Sequence, residues 1–112
     1  MEIDLTGLEK PGLFEKFKTQ VYKDYELSGA LEFLPLMTSN NFNQLKDEFY
    51  QSVLKLEISN ALKILLYRVD INEMQIKKAT QKDPQVPLQL IIAELMIKRI
   101  LQKVVLKEFY SK

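Results

Sequence analysis

Carboxylates are the side chains best able to do chemistry in this chain, because it contains no histidine and no cysteine. Acids on neighbouring helices can act as a general acid and base, or can hold a metal ion. The candidates are Asp47, Glu48, Glu57, Glu73 and Glu94. Carboxylate metal sites in helical bundles normally add a Glu-x-x-His pair, which this chain cannot supply. We therefore assign no catalytic and no metal-binding residue, and we expect that the protein is not an enzyme.

Two motifs of suggestive spacing fail for lack of glycine. Residues 83–94 have the length of an EF-hand calcium loop, but Leu88 stands at the sixth position, where the sharp turn requires glycine. A phosphate-binding loop needs a glycine-rich turn between a strand and a helix, and the three glycines are scattered. We therefore expect no cofactor. The sequence leaves open whether Glu94, which is set among apolar residues, is buried.

The composition is that of one globular domain. The chain has 112 residues, of which 46% are hydrophobic and 28% are charged. The opening MEIDLTGLEKPG lacks the basic head and apolar run of a signal peptide. Uninterrupted apolar runs reach about four residues, whereas a membrane-spanning helix needs ~20. These features favour a soluble, cytoplasmic protein that does not bind a membrane.

Apolar residues recur at helical spacing through most of the chain, and this pattern predicts an all-α fold. Prolines and helix-capping residues punctuate it. The predicted helices cover about 11–26, 42–69, 72–82 and 87–110, with a possible fifth, short helix at 28–34. No glycine or proline interrupts 42–69, which favours one continuous helix there over a break near Ser59 and Asn60.

The predicted architecture is a single compact domain, residues 1–112, with the helices at 42–69 and 87–110 as its spine. The first half of the last helix is apolar on two stripes. A small bundle covers both stripes only when that helix is central, and a peripheral helix would leave one stripe for a partner. The stripe assigned to a protein interface is Leu90, Ala93, Ile97, Ile100 and Leu101. The favoured function is accordingly a non-catalytic protein-interaction or assembly module that acts as a homo-oligomer, with a dimer favoured.

Charge is distributed unevenly along the chain. Residues 1–60 hold six lysines and ten acids, a balance of −4, and residues 61–112 hold ten basic residues and five acids, a balance of +5. The two halves can pack beside each other, or two chains can meet head to tail. The alternative is an anion-binding patch on a nucleic-acid-binding protein. The patch residues are Lys77, Lys78, Lys82, Lys98, Arg99 and Lys103.

The two helices that carry this patch loosely resemble a helix-turn-helix motif. In that motif the second helix enters the major groove and exposes polar side chains at its N-terminal end. Here that end reads LQLIIAELMI, which is almost entirely hydrocarbon. Nucleic-acid binding therefore ranks below protein interaction.

Overall fold

Five α-helices and two 3₁₀ turns, with no strand, make up residues 4–110, the part of the chain that the computed structural model describes. The helices are α1 (Pro11–Leu27), α2 (Phe42–Ile58), α3 (Leu62–Val69), α4 (Glu73–Lys82) and α5 (Leu88–Tyr110). The 3₁₀ turns are Leu5–Glu9 and Leu31–Phe33. The all-α prediction is confirmed. The possible helix at 28–34 is reduced to the second of these turns.

The prediction of one continuous helix over 42–69 is wrong, because the chain breaks at Asn60 and forms α2 and α3 instead. Asn60 has a left-handed backbone with φ 59°. Its N–H donates to the Glu57 carbonyl, and the Ala61 N–H donates to the Leu56 carbonyl, which is the Schellman arrangement for ending a helix. Asparagine is one of the few residues besides glycine that tolerates this conformation. The break turns the apolar face of α3 back toward the core that α2 already faces.

Helices α1 and α3 end in the same way. Gly29 follows α1 with φ 68°, and Asp70 follows α3 with φ 72°. In each case the next residue donates its N–H to a carbonyl five residues earlier. Three reversals of this kind fold a mostly helical chain into one compact body with a Cα radius of gyration of 13.3 Å.

Helix α5 lies at the centre of that body. It packs against α1, α2, α3, α4 and the first 3₁₀ turn. Eight of its side chains are buried, and they lie on both of its apolar stripes. They are Ile91, Ile92, Ala93, Met96, Ile97, Ile100, Leu101 and Val104. Helices α2 and α5 pack against each other, as predicted for the spine, although α2 is shorter than expected.

A buried chain of hydrogen bonds ties α1, α2 and the second 3₁₀ turn together. The Tyr25 hydroxyl lies 2.6 Å from the Ser52 hydroxyl oxygen, and Ser52 donates to the Phe33 carbonyl over 2.6 Å. Tyr25 is fully buried, and Ser52 is nearly so. This chain fixes where the segment after Phe33 leaves the core.

Candidate interaction surface

The stripe of α5 that was predicted as an interface lies in the core of this chain. Ala93, Ile97, Ile100 and Leu101 have no exposed surface, and Leu90 is half-buried. The placement of the interface is therefore corrected. The physical reason is the central position of α5, which lets its neighbours within the same chain cover both stripes.

The predicted anion patch divides between two helices, and its α5 members are neutralised by acids of the same chain. Lys98 pairs with Glu94 at 3.3 Å, and Arg99 pairs with Asp70 at 2.8 Å. Glu94 also lies 3.9 Å from Lys46, and its side chain is 39% exposed, so this acid is not buried. Arg99 thus joins α5 to the end of α3, and Lys98 pairs with an acid of its own helix.

The sixth patch residue, Lys103, belongs to a polar seam between α1 and α5. Its Nζ lies 3.1 Å from Oδ2 of Asp24, whose side chain is 3% exposed. Gln20 donates to the other Asp24 oxygen at 3.0 Å, and Lys107 donates to the Gln20 side-chain carbonyl at 2.5 Å. Lys16 pairs with Glu108 further along the seam. The order of these contacts shows that α1 and α5 run antiparallel.

The helix-turn-helix interpretation does not fit this arrangement. A recognition helix must present its first turns to the DNA groove. Ile91, Ile92 and Ala93 in the first turns of α5 are buried against the rest of the chain. The first turns of α5 therefore pack largely against the protein's own core.

The other half of the predicted patch, on α4, faces solvent. Asn72 and Gln75 form a capping box that begins this helix. Ile76 and Ala79 are half-buried on the side that faces α5. The outward side carries Met74, which is 59% exposed, and the exposed patch residues Lys77, Lys78 and Lys82. The ion pairs of the described residues include none of these three lysines.

Helix α3 exposes apolar side chains in the middle of its outward face. Leu65 and Val69 are fully buried, and Ile64 and Tyr67 lie on the opposite side of the helix at 100° per residue. Ile64 is 60% exposed and Tyr67 is 84% exposed. Lys63 and Arg68 flank them and are themselves exposed, so a pair of apolar side chains sits between two cations.

A groove of about 530 Å³ lies between α3 and α4. Half-buried Leu62, Leu66 and Ile76 form its apolar floor, and Lys63 and Glu73 stand among its polar lining residues. We use the name α3–α4 surface for this groove together with the exposed residues on the outward faces of its two helices. Those residues are Lys63, Ile64, Tyr67, Arg68, Met74, Lys77, Lys78 and Lys82.

Sequence reasoning missed the α3 part of this surface. It placed this stretch in one long helix over 42–69, and it assigned neither Ile64 nor Tyr67 to an interface. The signal was present, because on a helix that buries Leu65 and Val69 these two residues must point outward. A prediction of the break at Asn60 would have brought the short α3 and its outward face into view.

No group of three or more acidic side chains is placed to hold a metal ion anywhere in residues 4–110. Within the same range, the hydrophobic content and length of the helices fall short of what a membrane span requires. Comparisons with protein families, with curated proteins and with solved structures find no match to this chain.

Proposed function

We propose that this protein is a non-catalytic protein-interaction module whose α3–α4 surface binds an acidic segment of a partner protein. The observation that carries the proposal is the outward face of α3, where Ile64 and Tyr67 are exposed between Lys63 and Arg68. The cations of α5 have partners within the fold. Those of α3 and α4 have no carboxylate partner among the described residues.

The anatomy of the surface supports this role. Protein interfaces concentrate their binding energy in a few aromatic, aliphatic and arginine side chains at the centre of a patch with a polar rim. Complete burial of one large apolar side chain is worth about 1.5–3 kcal/mol. Ile64, Tyr67 and Met74 provide three such side chains, and the lysines around them would steer an acidic partner toward the surface.

A pair of double variants tests the proposal. Ile64→Ser with Tyr67→Ser removes the apolar centre, and Phe109→Ser with Tyr110→Ser removes an equally exposed pair from the end of α5. Proteins captured by chemical cross-linking in an extract of the producing cells should be lost with the first variant and retained with the second. Equal capture by both variants would exclude the α3–α4 surface as the binding site.

The homo-oligomer expected from the sequence is one form of this proposal, with a second copy as the partner. Light scattering on the purified protein at micromolar concentration measures it directly. A dimer that Ile64→Ser with Tyr67→Ser converts to a monomer would assign self-association to the α3–α4 surface. A monomer at all concentrations would restrict the proposal to a different protein.

Nucleic-acid binding remains the second candidate, because Lys77, Lys78 and Lys82 are exposed together on α4. It predicts binding to mixed-sequence duplex DNA at 50 mM salt that weakens steeply as salt rises. The variant Lys77→Glu with Lys78→Glu and Lys82→Glu should abolish that binding. An absence of binding at 50 mM salt would eliminate this candidate.

A further inference from the structure

An extended segment, residues 34–39, crosses the surface of α2, and we call it the strap. It is anchored at both ends. At its start, Ser52 donates to the Phe33 carbonyl. Near its end, the Thr38 N–H and hydroxyl donate to Oε2 of Glu48 at 3.2 and 2.7 Å, and Gln44 donates to the Thr38 hydroxyl oxygen at 2.9 Å.

Three unusual features coincide in and under the strap. Leu36 is 80% exposed, next to Pro35, which is buried. Met37 has φ 52°, a left-handed conformation that a long side chain rarely adopts. The second carboxylate oxygen of Glu48, Oε1, is buried and has no hydrogen-bond donor from the described residues. Exposed hydrocarbon, backbone strain and an unpaired carboxylate oxygen at one place are typical of a functional site.

A groove of about 380 Å³ runs between the strap and α2. On the strap side it is lined by apolar Phe33, Leu34 and Leu36, and on the α2 side by Asp47, Glu48, Gln51 and Lys55. The groove therefore combines a hydrocarbon wall with a wall on which two carboxylates outnumber one ammonium group. Such a combination suits a ligand that has both an apolar body and a cationic group.

The unpaired oxygen specifies the group that the ligand must carry. A buried carboxylate oxygen is costly unless a donor satisfies it, and a charged donor forms the strongest such hydrogen bond. We propose that the groove binds an extended peptide segment with a lysine or arginine, whose cationic head donates to Glu48 and whose apolar neighbours pack on Leu34 and Leu36. Asp47 adds negative charge at the same wall.

The strap itself can admit such a segment. Glu48 Oε1 is covered, so the carboxylate must turn or the middle of the strap must shift before a donor reaches it. The N–H groups of Leu36 and Met37 form none of the described hydrogen bonds, although the Met37 side chain packs against the core. Those N–H groups can then pair with the backbone of an extended peptide.

This inference goes beyond the proposed function, because it uses none of the residues of the α3–α4 surface. Its probe is the peptide acetyl-Val-Leu-Lys-Leu-Val-amide, and its matched control replaces the lysine by norleucine. Binding to the full chain is followed by the backbone amide NMR spectrum. The lysine peptide should shift the amide resonances of the strap and of residues 44–55. The norleucine peptide should bind at least about tenfold more weakly than the lysine peptide.

Two variants distinguish the contribution of the Glu48 carboxylate to peptide binding from that of the Leu36 side chain. Glu48→Gln keeps an oxygen for Thr38 and replaces the unpaired oxygen by an amide donor, so affinity for the lysine peptide should fall about tenfold or more. Leu36→Ser removes exposed hydrocarbon without touching the core, and it should weaken both peptides alike. Glu26→Gln changes an exposed side chain of α1, so it is the control and should leave peptide binding unchanged.

Three results would overturn the proposal. They are an absence of localised shifts at millimolar peptide, equal binding of the lysine and norleucine peptides, and unchanged affinity in Glu48→Gln. Amide positions outside the strap and groove report whether each variant is folded, so a loss of binding can be separated from a loss of structure.

Discussion

The one hydroxyl hydrogen of Ser52 determines which group donates in each of the two buried hydrogen bonds that link Tyr25, Ser52 and Phe33. The Phe33 carbonyl can only accept a hydrogen bond, so it takes the one hydrogen of Ser52. The Tyr25 hydroxyl must then donate to the Ser52 oxygen. Ser52 is therefore the residue on which both bonds depend. Burial raises the pKa of Tyr25 well above its ordinary value.

Removing Ser52 should therefore destabilise the protein more than removing the hydroxyl of Tyr25. Ser52→Ala leaves the Tyr25 hydroxyl and the Phe33 carbonyl both unpaired in the core, at about 1–3 kcal/mol for each group. Tyr25→Phe keeps the Ser52 bond to Phe33 and should cost about 1 kcal/mol. Urea unfolding measures both values. A smaller loss for Ser52→Ala than for Tyr25→Phe would contradict this direction of donation.

The same tyrosine predicts a dependence of stability on alkaline pH. A tyrosine with a raised folded-state pKa binds its proton more tightly when folded, so its contribution is complete below the unfolded pKa of about 10 and declines above it. The decline approaches about 1.4 kcal/mol per pH unit. Tyr25→Phe lacks this decline, so its unfolding free energy should match that of the wild type near pH 11.

Urea unfolding from pH 8 to pH 11 tests this expectation. Tyr67→Phe, which changes a ring that is 84% exposed, is the matched control and should show no such convergence with the wild type. A constant difference between Tyr25→Phe and the wild type across this range would show that Tyr25 does not carry the effect.

At the scale of elements, periodicity predicts α1, α4 and α5 to within a residue or two, because each has clear apolar spacing and a proline or a capping residue at its start. It fails at Asn60, because the break depends on where two apolar faces find a common core. The α5 interface failed for the same kind of reason. Two apolar stripes show that a helix needs two neighbours, but they do not show whether those neighbours belong to the same chain.

The break between α2 and α3 predicts a strict preference at position 60. Asn60→Val places a β-branched side chain at φ 59° and should destabilise the protein by about 1–2 kcal/mol. Asn60→Gly suits the left-handed conformation and should leave stability equal or higher. Thermal unfolding of the two variants measures the difference. Equal melting temperatures would mean that the chain can continue through this position as a helix.

At the scale of the whole molecule, the two oppositely charged halves of the sequence meet within one chain. Three ion pairs join residues 1–60 to residues 61–112. Asp24–Lys103 joins an acid of the first half to a cation of the second, whereas Lys16–Glu108 and Lys46–Glu94 join cations of the first half to acids of the second. The cations of α3 and α4 take part in none of the ion pairs of the described residues.

The α1–α5 seam predicts an asymmetry between single and double variants. Lys103→Met leaves Asp24 buried without a cation and should cost about 3 kcal/mol. Adding Asp24→Asn removes the buried charge, and the new amide oxygen can still accept the hydrogen bond from Gln20. The double variant should therefore recover at least about 1 kcal/mol of that loss. Lys98→Met is the control, because its pair with Glu94 is exposed and should be worth less than about 1 kcal/mol.

Urea unfolding of the three variants gives the answer. A double variant that is no more stable than Lys103→Met would show that the uncompensated charge of Asp24 is not the cause of the loss.

The same seam has a consequence for how the protein is made. Asp24 and Lys103 are separated by 79 positions, and α5 supplies the centre of the core. A ribosome therefore synthesises α1, α2, α3 and α4 before the helix on which they all pack exists. Until α5 emerges, the growing chain presents an unpaired acid and the apolar faces of four helices to solvent. The core can therefore form only after α5 has been synthesised.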